Sequence, residues 1–364
     1  MEQGPQERGE RVKEFRHALV LGKFYPPHNG HHHLIETAAA RSERTTVTVL
    51  AASTEAIPLA HRVEWLAEHH RYTDGVRVVG DLDDHPMDFD DDHVWSLHVE
   101  LTKAVLARRA IADGDPGGAP VDVVFSSEKY GDELARRLGA RHVLVDLDRT
   151  THAVSGTAVR TDPVRNWHHL SPATQRGLAR RVVVLGAEST GTTTLSKQLA
   201  AHFQAPWVPE YGREHTEHKL RAARAFDPDA TVDSLVWTLG DFEDVAREQE
   251  RHLWAETAPL VIADNDAFAA TVWGERYLGF RPEVHQGTRP HLYLLTDHVG
   301  VPFEQDGWRD GEHLREWMTG VFERELARRG VPWVKVTEDR FATAVAEVER
   351  LMGQDVTRGS RSRA

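Results

Sequence analysis

The chain contains no cysteine. That removes disulfide frameworks, thiolate nucleophiles and Cys-ligated zinc together, and it agrees with a reducing, cytoplasmic setting. Nor is there any run near the roughly 20 apolar residues that a membrane span needs. The polar start, Met1 to Arg16, has no apolar signal-peptide core. A basic surplus is missing too: Lys and Arg number 44 against 57 Asp and Glu, for a formal net charge of −13. Broad binding to nucleic acid therefore has no electrostatic footing. Small phosphorylated ligands are not excluded, because they need a few well-aimed donors rather than net charge.

With 364 residues, 40% of them hydrophobic and 28% charged, the composition is that of a soluble globular protein with two domains. In the first half, short apolar runs at Ala18–Leu21, Thr46–Ala52, Val76–Val79, Val121–Phe125 and His142–Val145 alternate with helical patterns such as His31 to Arg41 and His61–His70. Such alternation predicts a parallel sheet covered by helices. A polar stretch follows, and the pattern restarts with a strand at Val182–Leu185 and a helix at Thr194–His202. Later strands are expected at Leu260–Ala263, Leu292–Leu295 and Trp333–Val336, and helices at Asp233–Glu256, Glu312–Arg329 and Arg340–Met352. The fold class is α/β with two parallel-sheet domains. The expected boundaries are an N-terminal extension 1–17, a first domain 18–170, a linker 171–181, a second domain 182–352 and a disordered tail 353–364.

The loop after the first strand reads Gly22-Lys23-Phe24-Tyr-Pro-Pro-His28-Asn-Gly30-His31. In an open parallel sheet, ligands bind where loops leave the carboxyl ends of strands. Two prolines stiffen this loop, and Gly30 permits close backbone approach. His31 falls in the first helical turn, where free N–H groups and the helix dipole favour anions. His28 and His31 can converge on one phosphate, with Lys23 adding positive charge. The run His28, His31, His32, His33 could instead bind a metal or be solvated. Metal ligands on a helix lie three or four apart with further partners, and none is evident, so phosphate binding ranks first.

The segment resembles the GxFxPxHxGH signature of the HxGH nucleotidyltransferases. Val154-Ser155-Gly156-Thr157-Ala-Val-Arg160 resembles their ISxTxxR element, in which hydroxyls, helix N–H groups and an arginine hold a triphosphate tail. Alone it would read as a capped helix start. The resemblance implies a Rossmann-like domain that transfers an adenylyl group from ATP to a phosphate. Gly22, Phe24, Gly30, Ser155 and Thr157 would bind ATP, while His28, His31, Lys23 and Arg160 would carry the catalysis and Mg2+ would bridge the tail.

The second domain opens on Gly186-Ala-Glu188-Ser189-Thr190-Gly191-Thr192-Thr193, between a strand and a helix as a Walker A loop requires. Thr193 holds the place of the Mg2+-binding hydroxyl, whereas Thr192 stands where lysine is expected. Backbone N–H groups can still cradle phosphates. Asp264 and Asp266 end a later strand as in a Walker B element: Asp264 could hold Mg2+ and Asp266 could activate a hydroxyl. The loop Asp306-Gly-Trp-Arg309 could close over phosphates as a lid.

Taken together, the two domains resemble the NadR-type bifunctional proteins of NAD biosynthesis, in which a nicotinamide mononucleotide adenylyltransferase precedes a P-loop ribosylnicotinamide kinase. The resemblance rests on GKFYPPHNGH, Phe125-Ser-Ser-Glu128, Val145-Asp-Leu-Asp-Arg149, VSGTAVR, the P-loop, Glu210-Tyr211-Gly-Arg213-Glu and DGWR. It implies ATP, nicotinamide mononucleotide, nicotinamide riboside and NAD as partners. Glu210, Tyr211 and Arg213 would contact the riboside. Trp95 would be a stacking platform for nicotinamide or, equally, a core tryptophan. With about 17 residues before the first strand, a helix-turn-helix module and DNA binding are not expected. Self-association into a homo-oligomer stays open. The alternatives are an adenylyltransferase with a degenerate, regulatory P-loop domain, on account of Thr192, or an enzyme acting on flavin mononucleotide or phosphopantetheine.

Overall fold

A computed structural model describes residues 13–353 except 89, 116–119, 149, 286, 288 and 305–310. The chain divides into two compact units, one running to Gly177 and one starting at Leu178. Both are α/β units built on a five-stranded, fully parallel sheet.

The first unit runs β1 (Phe15–Gly22), α1 (Asn29–Arg41), β2 (Ser42–Ala51), α2 (Leu59–His69), β3 (Val76–Leu82), α3 (Asp92–Ala112), β4 (Val123–Ser126), α4 (Tyr130–Leu138), β5 (Arg141–Leu144) and α5 (Gly156–Thr161). Its strand order is β3-β2-β1-β4-β5. Ala18, Leu19 and Val20 of β1 are all fully buried, because helices cover both faces of a parallel sheet and leave no solvent side. Strand β1 lies between β2 and β4, so the loop at its carboxyl end opens where the strand order reverses.

A short helix α6 (Pro172–Leu178) precedes the second unit, which runs β6 (Arg180–Gly186), α7 (Thr192–Phe203), β7 (Trp207–Val208), α8 (Tyr211–Arg224), α9 (Leu239–Ala255), β8 (Leu260–Asp264), α10 (Ala267–Leu278), β9 (Leu292–Thr296), α11 (Arg315–Arg329), β10 (Trp333–Val336) and α12 (Arg340–Met352). Its order is β10-β9-β6-β8-β7. Here β6 occupies the switch position, and the P-loop leaves its carboxyl end. No helix of the described residues is long and apolar enough to cross a membrane.

Several boundaries differ from expectation. Strand β1 begins at Phe15, inside the presumed extension, because Phe15 already pairs with Ser42. The stretch 171–181 is no plain linker: it carries α6 and the start of β6. The helix expected from Asp233 starts at Leu239, where Thr238 and Asp241 form a capping box. Residues 1–12 and the tail from 354 lie outside the described residues.

Candidate functional site

A cavity of about 520 Å3 opens at the carboxyl end of β1. Gly22, Lys23, Phe24, His28, Gly30 and His31 line it from the loop and the first turn of α1. Ser155, Thr157 and Arg160 line it from the start of α5, and Trp95 from α3. All the residues expected of the first site thus share one cavity.

The local geometry has a clear cause. His28 is the N-cap of α1 in extended conformation, and its ring stacks on that of His31 at 3.7 Å. The His28 backbone N–H donates to His31 Nδ1 at 3.3 Å. With Nδ1 accepting, the neutral His31 ring carries its proton on Nε2, a donor suited to a phosphate oxygen. A Cβ on Gly30 would lie 3.2 Å from the His28 ring, and one on Gly156 would lie 2.6 Å from the Tyr25 carbonyl oxygen. Gly156 is therefore needed for the close approach of loop and helix, while a methyl on Gly30 would press on the His28 ring.

Arg160 donates to the Tyr25 carbonyl and, at 3.1 Å, to Thr157 Oγ1. Ser155 caps α5 by accepting from the Ala158 N–H at 3.1 Å. Lys23 is half-exposed and pairs with Glu55 at 3.0 Å, so its charge is shared with the protein. Trp95 is a core tryptophan that also reaches the cavity. It packs with Leu19, Val99 and Val124.

One organising residue went unnoticed in the sequence. Arg62 of α2 is completely buried, pairs with Glu55 at 2.7 Å and donates to the carbonyls of Lys23 and Ile57. Its guanidinium lies over one side of the Tyr25 system at 4.2 Å, and that of Arg160 approaches the same ring at 4.5 Å. Burial pushes Glu55 up, but hydrogen bonds from Lys23 and Arg62 outweigh it and hold the carboxyl below its ordinary value. An arginine on an amphipathic helix gives no local sign of such a role.

The second cavity, about 170 Å3, lies at the carboxyl end of β6. Gly186, Glu188, Ser189, Thr192 and Thr193 line it, together with Glu210, Arg213 and Asp266. Gly186 is required here, since a Cβ would lie 2.2 Å from Thr296 Oγ1. Thr190 turns away from the cavity, its hydroxyl bonded to the Ala187 carbonyl and to Thr296 at 2.7 Å. Gly191, in left-handed conformation, is the N-cap of α7. Neither it nor Tyr211 lines the cavity, and the Tyr211 ring sits beside His215 and His252. Arg309 lies outside the described residues.

Thr193 Oγ1 donates to Asp264 Oδ2 at 2.5 Å. Asp264 Oδ1 is buried without a hydrogen-bond partner among the described residues. A hydroxyl beside an unsatisfied buried carboxylate oxygen is a hard-oxygen pair that fits Mg2+. Burial raises the pKa of Asp264, and burial followed by the Asp264 charge raises that of Glu210. Asp266 is placed differently from Asp264. It caps α10 through the Ala269 N–H at 3.0 Å and accepts from the Tyr293 hydroxyl at 2.6 Å. Both its oxygens hold protein groups, so Asp266 is a structural carboxylate at the cavity edge.

Arginines brace the P-loop from behind: Arg276 pairs with Glu188 at 3.1 Å, Arg315 donates to the Ser189 carbonyl and Arg340 to that of Thr190. Arg213 alone among these arginines lines the cavity, and its charge acts on both Glu210 and Asp264. The sequence reading also missed an aromatic wall of Trp237, Trp273 and Tyr277, with the Trp237 and Tyr277 rings 5.0 Å apart.

A family model described as an AAA domain matches residues 181–343. The "Trifunctional NAD biosynthesis/regulator protein NadR" of Escherichia coli K12 is 24% identical over 92% of this chain and 83% of its own length. The protein of the same name from Salmonella typhimurium LT2 is also 24% identical, with the same coverage. Among solved structures, a NadR protein in complex with NR superposes with a TM-score of 0.66 at 21% identity, covering 95% of this chain and 98% of that one. A NadR protein in complex with NAD and AMP-PNP gives 0.65 at 20% identity, over 94% and 99%. The likeness to NadR proteins thus spans nearly the whole chain, and the two parallel sheets, each opening into a loop at the switch point, share their fold.

Proposed function

We propose that the first unit transfers the adenylyl group of ATP to nicotinamide mononucleotide, giving NAD and pyrophosphate. The observation that carries this reading is the meeting of His28, His31, Lys23, Arg160 and the α5 N-terminus in one cavity with Trp95. A phosphate oxygen of the mononucleotide attacks the α-phosphorus of ATP, and the bond to the β-phosphate oxygen breaks. The nucleophile is already anionic, so positioning and charge stabilisation suffice. His28 and His31 hold the α- and β-phosphates, and Arg160 and the α5 N–H groups hold the tail. The names of the NadR relatives and of the NAD-bound structure support the choice of substrate.

In the second unit the same reading is phosphorylation of nicotinamide riboside by ATP. Thr193 and Asp264 would hold Mg2+, which supplies charge neutralisation at the phosphates. Arg213 supplies the positive charge that Thr192 lacks. Trp237, Trp273 and Tyr277 offer π faces to the cationic nicotinamide ring. Glu210 sits where a riboside hydroxyl would enter and is the better proton acceptor than the doubly engaged Asp266. The second reading, adenylyl transfer alone with a riboside-sensing second unit, is favoured by Thr192 only.

Two assays on the purified chain separate these readings. Pyrophosphate release is measured with nicotinamide mononucleotide, its deamidated form, flavin mononucleotide and phosphopantetheine. No turnover of either pyridine mononucleotide would overturn the first proposal. Transfer of radiolabelled γ-phosphate to nicotinamide riboside tests the second, and background counts there would favour the sensing role.

A further inference from the structure

His32, His69 and His70 line neither cavity, yet each brings a ring nitrogen within 4.8 Å of the others. His32 comes from α1, His69 ends α2 and His70 is that helix's C-cap. His32 Nδ1 lies 3.0 Å from His70 Nε2, and the His32 ring stacks on that of His69 at 3.7 Å. His32 is 4% exposed and His70 3%. The Nε2 of His32 is buried with no hydrogen-bond partner among the described residues.

Several independent features favour a cation here. Burial first, and then His69, His70 and His28, push His32 down to about 2. Burial and His69 push His70 down to about 4, and burial lowers His69 as well despite the opposing pull of Glu36 and Glu68. The rings are thus neutral at pH 7, the state in which imidazole binds metal. His69 and His70 stand at the carboxyl end of an 11-residue helix, where the dipole attracts positive charge. Glu36, four residues after His32 on the same helix, places its Oε1 3.9 Å from His69 Nε2. A pair at that spacing shares one helix face.

We infer that His32, His69, His70 and Glu36 form a binding site for one divalent cation of the zinc class. Three imidazoles with one carboxylate suit zinc, or its spectroscopic substitute cobalt, and not Mg2+, which takes oxygen ligands. Tetrahedral coordination at metal–nitrogen distances of about 2.0–2.1 Å sets ligand atoms about 3.4 Å apart. His32 Nδ1 and His70 Nε2 are already near that at 3.0 Å, so the cation would take these two atoms in place of their hydrogen bond, and His69, on the solvent side, reaches it by ring rotation. The cation would tie α1, whose first turn carries His31, to the end of α2. It takes no part in adenylyl transfer.

The test uses the full chain, stripped with chelator and titrated with Co2+. Visible d–d absorption of tetrahedral intensity should saturate at one equivalent and be displaced by one equivalent of Zn2+ but not by Mg2+. His69→Gln changes an exposed ring and should weaken Co2+ binding about 100-fold, with circular dichroism unchanged. Glu36→Gln should weaken it about 10-fold, because the amide keeps an oxygen ligand and loses only the negative charge. His85→Gln, in the separate Asp83, His85 and His98 cluster, should leave binding as in the parent chain. Octahedral or absent absorption, or a tetrahedral signal that survives both His69→Gln and Glu36→Gln, overturns the proposal. So does a signal that His85→Gln abolishes.

Discussion

At the scale of single residues, the proposed adenylyl transfer would depend on two kinds of group: rings that could meet phosphate and glycines that let the loop and helix meet. His31 belongs to the first kind. On the proposed reading, its Nε2 proton, set by the backbone donor at Nδ1, would face charge that builds in the transition state. Replacing His31 by Ala should lower kcat for NAD formation about 10²–10³-fold with little change in KM, as measured by steady-state kinetics. Gly156 is of the second kind. Gly156→Ala places a methyl 2.6 Å from the Tyr25 carbonyl, which must push α5 from the loop. Overpacking of this sort costs about 1–3 kcal/mol. The expected outcome is a lower melting temperature together with loss of adenylyl transfer of more than tenfold; unchanged kinetics would show that α5 does not hold the triphosphate.

At the scale of elements, the phosphate-type loops were legible because each is a contiguous segment between a strand and a helix. Their order along the chain shows directly in residue spacing. Element ends set by side-chain exchange were harder to read, as at α9, where Thr238 and Asp241 decide the start. The junction of β6 and β9 carries a pH dependence. His291 Nδ1 accepts from the Arg181 N–H at 3.1 Å. Burial, and then Arg180 and Arg181, push its pKa from 6.5 to about 4. The unfolded chain therefore binds more protons than the folded one between pH 6.5 and 4. Stability of the second unit should be level above pH 6.5 and fall as pH drops toward 4, by on the order of 3 kcal/mol. Denaturant unfolding across this range checks it, and His291→Gln should flatten the slope.

At the scale of the whole molecule, the two units carry separate cavities, and on the proposed reading the product of the second would be the acceptor of the first. That arrangement predicts a clean division of defects. Supplied with nicotinamide riboside and ATP, Arg213→Ala should leave riboside unconsumed, with phosphorylation lowered about 100-fold. Supplied with the mononucleotide, it should form NAD normally. His31→Ala should show the reverse and accumulate the mononucleotide. Chromatography of the reaction mixtures distinguishes the patterns; a shared defect in both variants would mean that the two sites do not work independently.

The sequence alone determined the two α/β units, the switch-point loops and the residues of the first cavity, because these follow from short-range rules of periodicity, turn chemistry and helix starts. It singled out His31 but gave no sign of where His32 points. Adjacent residues on a helix point about 100° apart, so His31 faces the first cavity and His32 meets His69 and His70 from α2. Nor could it show that Tyr293 occupies Asp266, that Arg62 is buried beneath the loop, or that Trp237, Trp273 and Tyr277 share a wall. Each of these joins residues far apart in the chain. Their roles come from packing, and only the tertiary structure decides which side chains meet.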